Sequence, residues 1–296
     1  MEQNYQNQEN TLTSEAIING KSLAVKAIDF IEKRSRVGEP TGINTGLIYL
    51  DRLIKGFNSS DLIILCSRHD SGKTALALSM IQNIAINNKI PCGLISLEES
   101  CETLSVQLLS QMAEVKLKRL NCGILRLDEF RMIGNSADKL SKSPFYMTDT
   151  PRLTLAALSE LTSRMVKEQN VKILFIDYLQ LIETEKLGQS CYDKMTEIAV
   201  CLKKLAGELR IPIVVLCTVP SVTTKEKSDL DEIQSIGDID QAADVILFLH
   251  RNKGEEITMP AEAKIVIAKN QHGPVGDVPV YFFKDYFKFA DLEESY

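Results

Sequence analysis

The chain has no tryptophan, only three histidines, and no pair of cysteines spaced Cys-x-x-Cys. Its seven cysteines (Cys66, Cys92, Cys101, Cys122, Cys191, Cys201 and Cys217) form no Cys/His cluster with zinc-ligand spacing. A structural zinc site is therefore excluded by ligand supply. An odd cysteine count suits a reducing compartment, and Cys66, Cys92 and Cys217 sit in or beside apolar runs, where buried thiols act as small hydrophobes. Positive charge is also in short supply. Lys and Arg number 34 against 40 Asp and Glu, leaving a net charge of -6. That argues against a basic coat for nucleic acid, though not against a local basic channel on one surface. No apolar run approaches the ~20 residues of a membrane span, and no secretory leader is recognisable. A soluble, cytoplasmic protein with no membrane partner is expected.

What is present is an ordinary globular composition, 44% hydrophobic and 25% charged. Its 296 residues suit one large α/β domain with a small appendage. Residues 1–13 are polar and expected to be a disordered tail. Residues 14–40 are expected to hold a helix and a connector. From Ser22 to Arg34 the residues Ala24, Ala27, Ile28 and Ile31 recur at helical spacing, with Lys26, Asp29, Glu32 and Lys33 opposite. The apolar face of such a helix packs either on its own domain or on a neighbouring subunit. Gly38-Glu39-Pro40 then breaks the helix.

Residues 41–296 alternate between strands and helices. Apolar strands are expected at Leu62–Cys66, Cys92–Leu97, Pro144–Met147, Lys172–Ile176, Ile213–Cys217, Val245–His250, Ala263–Ala268 and Val278–Phe283. Helices are expected at Thr74–Asn87, Glu102–Ala113, a stretch reaching about Leu140, Leu155–Gln169 and Lys194–Leu209. Strands that are apolar throughout and separated by helices indicate a mainly parallel, twisted sheet covered on both faces.

Ser71-Gly72-Lys73-Thr74 lies between the first of these strands and the helix that follows. Phosphate oxygens need several backbone N–H donors aimed at one point, and a loop winding into a helix N-terminus supplies them. The loop residues Ser67, Arg68, His69, Asp70, Ser71, Gly72, Lys73, Thr74 and Ala75 are thus expected to cradle ATP. In this P-loop reading Lys73 neutralises β/γ charge and the Thr74 hydroxyl ligates Mg²⁺. Ser67 stands where the usual first glycine would be. Ile173-Leu174-Phe175-Ile176 is an apolar strand ending in Asp177, placed to reach the magnesium shell; a strand-end aspartate also caps turns. Leu94-Ile95-Ser96-Leu97 ends in Glu98, the candidate general base, with Glu99 as the solvated alternative.

These motifs, with others in order along the chain, resemble the C-terminal RecA-like ATPase domain of the DnaB family of replicative DNA helicases. The resemblance rests on Thr41-Gly42-Ile43-Asn44-Thr45-Gly46 with Leu50-Asp51, and on Ser60-Asp61-Leu62-Ile63-Ile64. It continues through Gly72-Lys73-Thr74-Ala75-Leu76, Ser96-Leu97-Glu98 and Asp149-Thr150-Pro151. Ile176-Asp177-Tyr178-Leu179-Gln180-Leu181-Ile182 is its most specific stretch. Asp240-Gln241-Ala242-Ala243-Asp244 and Gly273-Pro274-Val275-Gly276 complete it. The resemblance runs from about residue 41 onward, and the helix near residues 22–34 resembles the family's linker helix. It implies a hexameric ring with ATP between subunits, moving on single-stranded DNA. It also implies that Lys269 reaches the neighbour's nucleotide.

Several positions depart from the family pattern. The arginine expected two residues after Lys269 is Gln271, and an amide cannot neutralise developing γ-phosphate charge. The Ser-Gln-Leu-Ser-Arg stretch, whose glutamine senses the γ-phosphate, reads Cys217-Thr218-Val219-Pro220-Ser221. The Arg-Glu-Ser-Gly of the DNA-facing loop reads Gln234-Ser235-Ile236-Gly237. Residues 1–40 are short against the ~100 of an independent domain, so the family's primase-recruiting N-terminal collar is not expected. Three readings follow. They are a DnaB-like ATP-hydrolysing helicase or translocase, a non-motor ATP-binding ring subunit or regulator, and a RadA- or KaiC-like relative. The ring is expected to be a homo-hexamer or to include a related subunit, with the linker helix docked on the neighbour.

Overall fold

The computed structural model describes residues 19–35, 41–184, 188–220, 229–251 and 260–291. The expected tail at 1–13 and the breaker at Gly38–Pro40 lie outside the described residues. The chain divides into two units, one ending at Thr41 and the other starting at Gly42. In the first, helix α1 spans Gly20–Ser35, starting two residues before the expected helix. Its start is set by Asn19, whose side-chain oxygen accepts from the Ser22 N–H at 3.0 Å. Leu23, Val25 and Ile28 are exposed on it.

The second unit is an α/β domain built on one nine-stranded sheet in the order β3-β2-β4-β5-β1-β6-β7-β8-β9. The strands are β1 Leu62–Arg68, β2 Cys92–Ser96, β3 Phe145–Asp149, β4 Ile173–Asp177, β5 Ile213–Val219 and β6 Val245–Arg251, then β7 Ala261–Asn270, β8 Gly276–Phe283 and β9 Lys288–Ala290. The first six are parallel; β7, β8 and β9 close one edge in antiparallel fashion. Each of the eight expected strands is present, and β9 is additional. The apolar runs follow from two-sided cover. Along β1, Ile63 and Leu65 join one core while Leu62, Ile64 and Cys66 join the core on the opposite face.

The helices are α2 Ile48–Ile54, α3 Lys73–Ile81, α4 Cys101–Ala113, α5 Leu117–Cys122, α6 Leu127–Ser141, α7 Leu155–Gln169, α8 Cys191–Leu209, α9 Asp229–Gln234 and α10 Ile239–Ala242. Ser100, Thr154 and Ser190 cap α4, α7 and α8 by accepting from backbone N–H groups three residues on. The single helix expected over Thr74–Asn87 is instead α3 followed by a π-helical stretch, Gln82–Asn87. Its wider turn accompanies three consecutive buried residues, Ile84, Ala85 and Ile86.

The first resembling motif is a closed turn. The Asp51 carboxylate accepts from the Thr45 N–H at 2.8 Å and the Gly46 N–H at 3.0 Å. Gly42 lies against the Phe57 carbonyl, where an added Cβ would come within 2.5 Å. The residue types there answer to backbone space and capping.

Candidate active site

The loop between β1 and α3 stands at the C-terminal end of the parallel strands. Ser67 and Ser71 are buried, while Arg68, His69 and Asp70 are exposed. Asp70 and Gly72 take the left-handed conformation, with φ of 54° and 97°. They turn the chain so that α3 opens at Lys73 immediately after Gly72. The first N–H groups of an α-helix have no partner within the helix, so this start presents donors and the positive end of a dipole. The loop is held from outside as well: the Arg251 guanidinium on β6 donates to the Asp70 carbonyl at 2.7 Å.

β5 runs between β1 and β4, yet the head of α3 and the end of β4 meet across it. Thr74 Oγ1 donates to Asp177 Oδ2 at 2.8 Å. Asp177 is 1% exposed, and its other oxygen, Oδ1, is buried without a hydrogen-bond partner among the described residues. Burial pushes its carboxyl up to about 6, against a partial opposing effect of the Lys73 ammonium. A buried carboxylate with one unpaired oxygen beside a threonine hydroxyl is a donor set that fits a hard divalent cation. Thr74 and Asp177 are thus the residues that would hold Mg²⁺.

The Lys73 ammonium lies 4.7 Å from the centre of the Tyr178 ring and 3.9 Å from Glu98 Oε2. The Asp177–Tyr178 peptide is cis. Glu98 follows β2 and is exposed; a cavity of about 290 Å³ opens beside it, also lined by Glu99, Asp149 and Pro151. The relation between the neighbouring acids is the reverse of the expectation. Glu99, not Glu98, is partly buried, accepting from Gln107 Nε2 at 2.7 Å with its carboxyl raised by burial. Glu98 is the exposed member of the pair.

Thr218, the residue at the sensor position, pairs with Ser67 across the strands and so stands between the phosphate loop and Asp177. Its hydroxyl is buried without a partner among the described residues. Gln180 caps this strand end: its amide donates to the Thr218 carbonyl at 2.6 Å, and its oxygen accepts from the Thr218 N–H at 3.4 Å. Ser221 lies outside the described residues.

Lys269 is elsewhere. It stands on β7 opposite Ile246, which is level with Ile64 on β1. The Gln271 N–H donates to the Asp244 carbonyl just ahead of β6. With ~3.3 Å per strand residue, the Lys269–Gln271 turn is roughly 15 Å from the phosphate loop, at the opposite end of the parallel strands. The Lys269 ammonium donates to the carbonyls of Asp240 and Ala243, at 2.8 and 2.6 Å.

A family model described as "DnaB-like helicase C terminal domain" matches residues 42–291. The chain belongs to that DnaB-like family. It is 36% identical over 271 residues to the replicative DNA helicase DnaB of Treponema pallidum, covering 91% of this chain and 61% of the relative. With the Geobacillus stearothermophilus DnaB it shares 34% over 293 residues, covering 96% of this chain and 64% of the relative. The chain thus spans about three fifths of the curated relatives it matches. Among solved structures, the ATPase domain of G40P superposes with a TM-score of 0.83 at 26% identity, covering 93% of this chain and 100% of that domain. A DnaB-like replicative helicase, solved in a study of its interactions with primase, gives 0.82 at 27%, covering 93% of this chain and 69% of that one. A KaiC-like protein from Pyrococcus horikoshii gives 0.57 at 17%, a likeness of fold alone. The RecA-like DnaB reading therefore holds over the RadA or KaiC alternative.

Residues given no role by the sequence motifs also shape this DnaB-like site. Tyr178, under the Lys73 ammonium, was legible as the neighbour of Asp177. Arg251 and Glu232 contact the phosphate loop from 181 and 164 residues away, a separation that leaves no local signal.

Proposed function

We propose that this chain binds and hydrolyses Mg-ATP and acts as one subunit of a ring that moves along single-stranded DNA, as a DnaB-like helicase or translocase. The observation that carries the proposal is the Lys73, Thr74 and Asp177 cluster at the head of α3, flanked by Glu98. Lys73 neutralises phosphate charge, Thr74 and Asp177 hold the metal, and Glu98 accepts the proton of the attacking water. When bound, magnesium draws together and screens the phosphate oxygens.

The ring supplies what one subunit lacks. Lys269 and Gln271 sit at the far end of the strands from their own phosphate loop, so they reach a nucleotide only on a neighbour placed head to tail. Exposed Leu23, Val25 and Ile28 on α1 suit docking on an adjacent subunit. Such a ring is a homo-hexamer or includes a related subunit. The Gln234 segment faces the DNA. No helix among the described residues is long and apolar enough to cross a membrane.

A second reading has its own observation. Gln271 brings no charge, and the Lys269 ammonium is already engaged by two carbonyls. A ring so equipped would bind ATP and turn it over slowly, as a non-motor subunit or regulator. ATP turnover with and without single-stranded DNA separates the two: stimulation supports the motor, and DNA-indifferent turnover supports the regulator.

A further inference from the structure

We infer that Arg68 and Glu232 form a positioning link between the phosphate loop and α9, through which single-stranded DNA alters ATP turnover. This rests on the helicase reading above and names a route by which DNA acts on the same site. Arg68 is the last residue of β1 and the first turn of the phosphate loop. Its Nε and Nη2 both donate to the carboxylate of Glu232 on α9, Nε at 3.4 Å to Oε2 and Nη2 at 2.5 Å to Oε1. The Arg68 side chain is 43% exposed, whereas that of Glu232 is 3% exposed.

A buried carboxylate is costly and is tolerated only when paired, and apolar residues of similar size commonly serve stability as well. Ile233, the next residue, is already fully buried and anchors α9 to the core. The ion pair is therefore explained better by placement than by stability. It fixes where a six-residue helix sits relative to the loop that opens α3.

The rest of α9 is held at both ends. At its start, Asp229 pairs with His250 of β6 at 2.8 Å, and His250 stacks on Phe248. At its end, Gln234 donates to Asp240 Oδ2 at 2.8 Å, and Asp240 lends its carbonyl to Lys269. Tyr192 of α8 donates to Asp238 between α9 and α10. On the other side, Arg251 holds the Asp70 carbonyl. The loop is thus bracketed by two arginines, Arg251 on β6 and Arg68 at the end of β1, the second with its side chain tied to α9. A shift of α9 is transmitted through Arg68 into the residues leading to Lys73. Arg68 and Glu232 act on the site through its geometry and are positioning residues.

The test compares wild type with Glu232→Gln in the full chain. It measures ATP turnover alone, turnover with saturating oligo(dT), and the affinity for a fluorescent ATP analogue. The link predicts that the ratio of stimulated to basal turnover falls about five-fold or more, while analogue affinity and the KM for ATP stay within about two-fold. A merely structural role lowers both rates together with the folded fraction and leaves the ratio alone. Glu232→Asp, which keeps the charge at shorter reach, retains part of the ratio. Should Glu232→Gln not fold, Glu232→Asp carries the test on the same ratio. A stimulated wild type with an equally stimulated variant overturns the link and leaves the helicase reading standing. A wild type that DNA does not stimulate overturns both.

Discussion

Replacing Asp177 by asparagine should stabilise the nucleotide-free protein. Burial raises the Asp177 carboxyl from its ordinary 3.8 to about 6. The folded chain therefore holds that proton more tightly than the unfolded chain does. The stability contributed by the proton is fully present below about pH 4 and is lost as pH rises through about 6. Two units at about 1.4 kcal/mol each put the cost of ionised Asp177 at about 3 kcal/mol near pH 8, and about half of that near pH 5. Asparagine does not titrate and still accepts from the Thr74 hydroxyl. Asp177→Asn should thus melt several degrees above wild type at pH 8 without metal or nucleotide, with the gap shrinking toward pH 5. Other carboxyls raised by burial, among them Asp51, Asp61 and Glu99, shape the wild-type curve, but the difference between the two proteins isolates Asp177. Adding Mg-ATP should reverse the order, because only the carboxylate gains a metal. Calorimetric or urea melts across this pH range check both parts. A variant less stable than wild type at pH 8 without ligand would refute the reasoning.

Two further substitutions address turnover. Glu98→Gln should retain binding of a fluorescent ATP analogue while single-turnover hydrolysis falls by ~10² to 10⁴, the usual contribution of a positioned base. Surviving turnover would move that role elsewhere, and Glu99→Gln would then test the neighbour. Gln271→Arg should raise steady-state hydrolysis in the assembled ring, since trans-acting arginines contribute ~10³ to 10⁵ in related enzymes. No gain would count against a trans role for that turn.

The parts legible in the sequence were those whose causes are local. Continuous apolar runs mark strands covered on both sides, and eight of nine strands follow from them. The strand–loop–helix around Gly72-Lys73-Thr74 and the apolar run into Asp177 mark the candidate site in the sequence, because both place polar groups at strand ends. β9 has no such signal, because its three residues follow a turn and carry no period. The π-helical stretch after α3 is silent in the sequence, which also satisfies an α-helical period. The relative exposure of Glu98 and Glu99 depends on Gln107 arriving from α4, which neither acid announces. The arginine contacts on the phosphate loop depend on elements that meet only in the folded domain.

The claim at the centre of this account is that ATP bound at Lys73, Thr74 and Asp177 drives movement on DNA. Steady-state ATP hydrolysis by wild type and Lys73→Ala, with and without single-stranded DNA, tests it most directly. The expected result is a rate that DNA raises in wild type and that Lys73→Ala abolishes under both conditions. A slow rate indifferent to DNA, or one that survives the loss of Lys73, would contradict it.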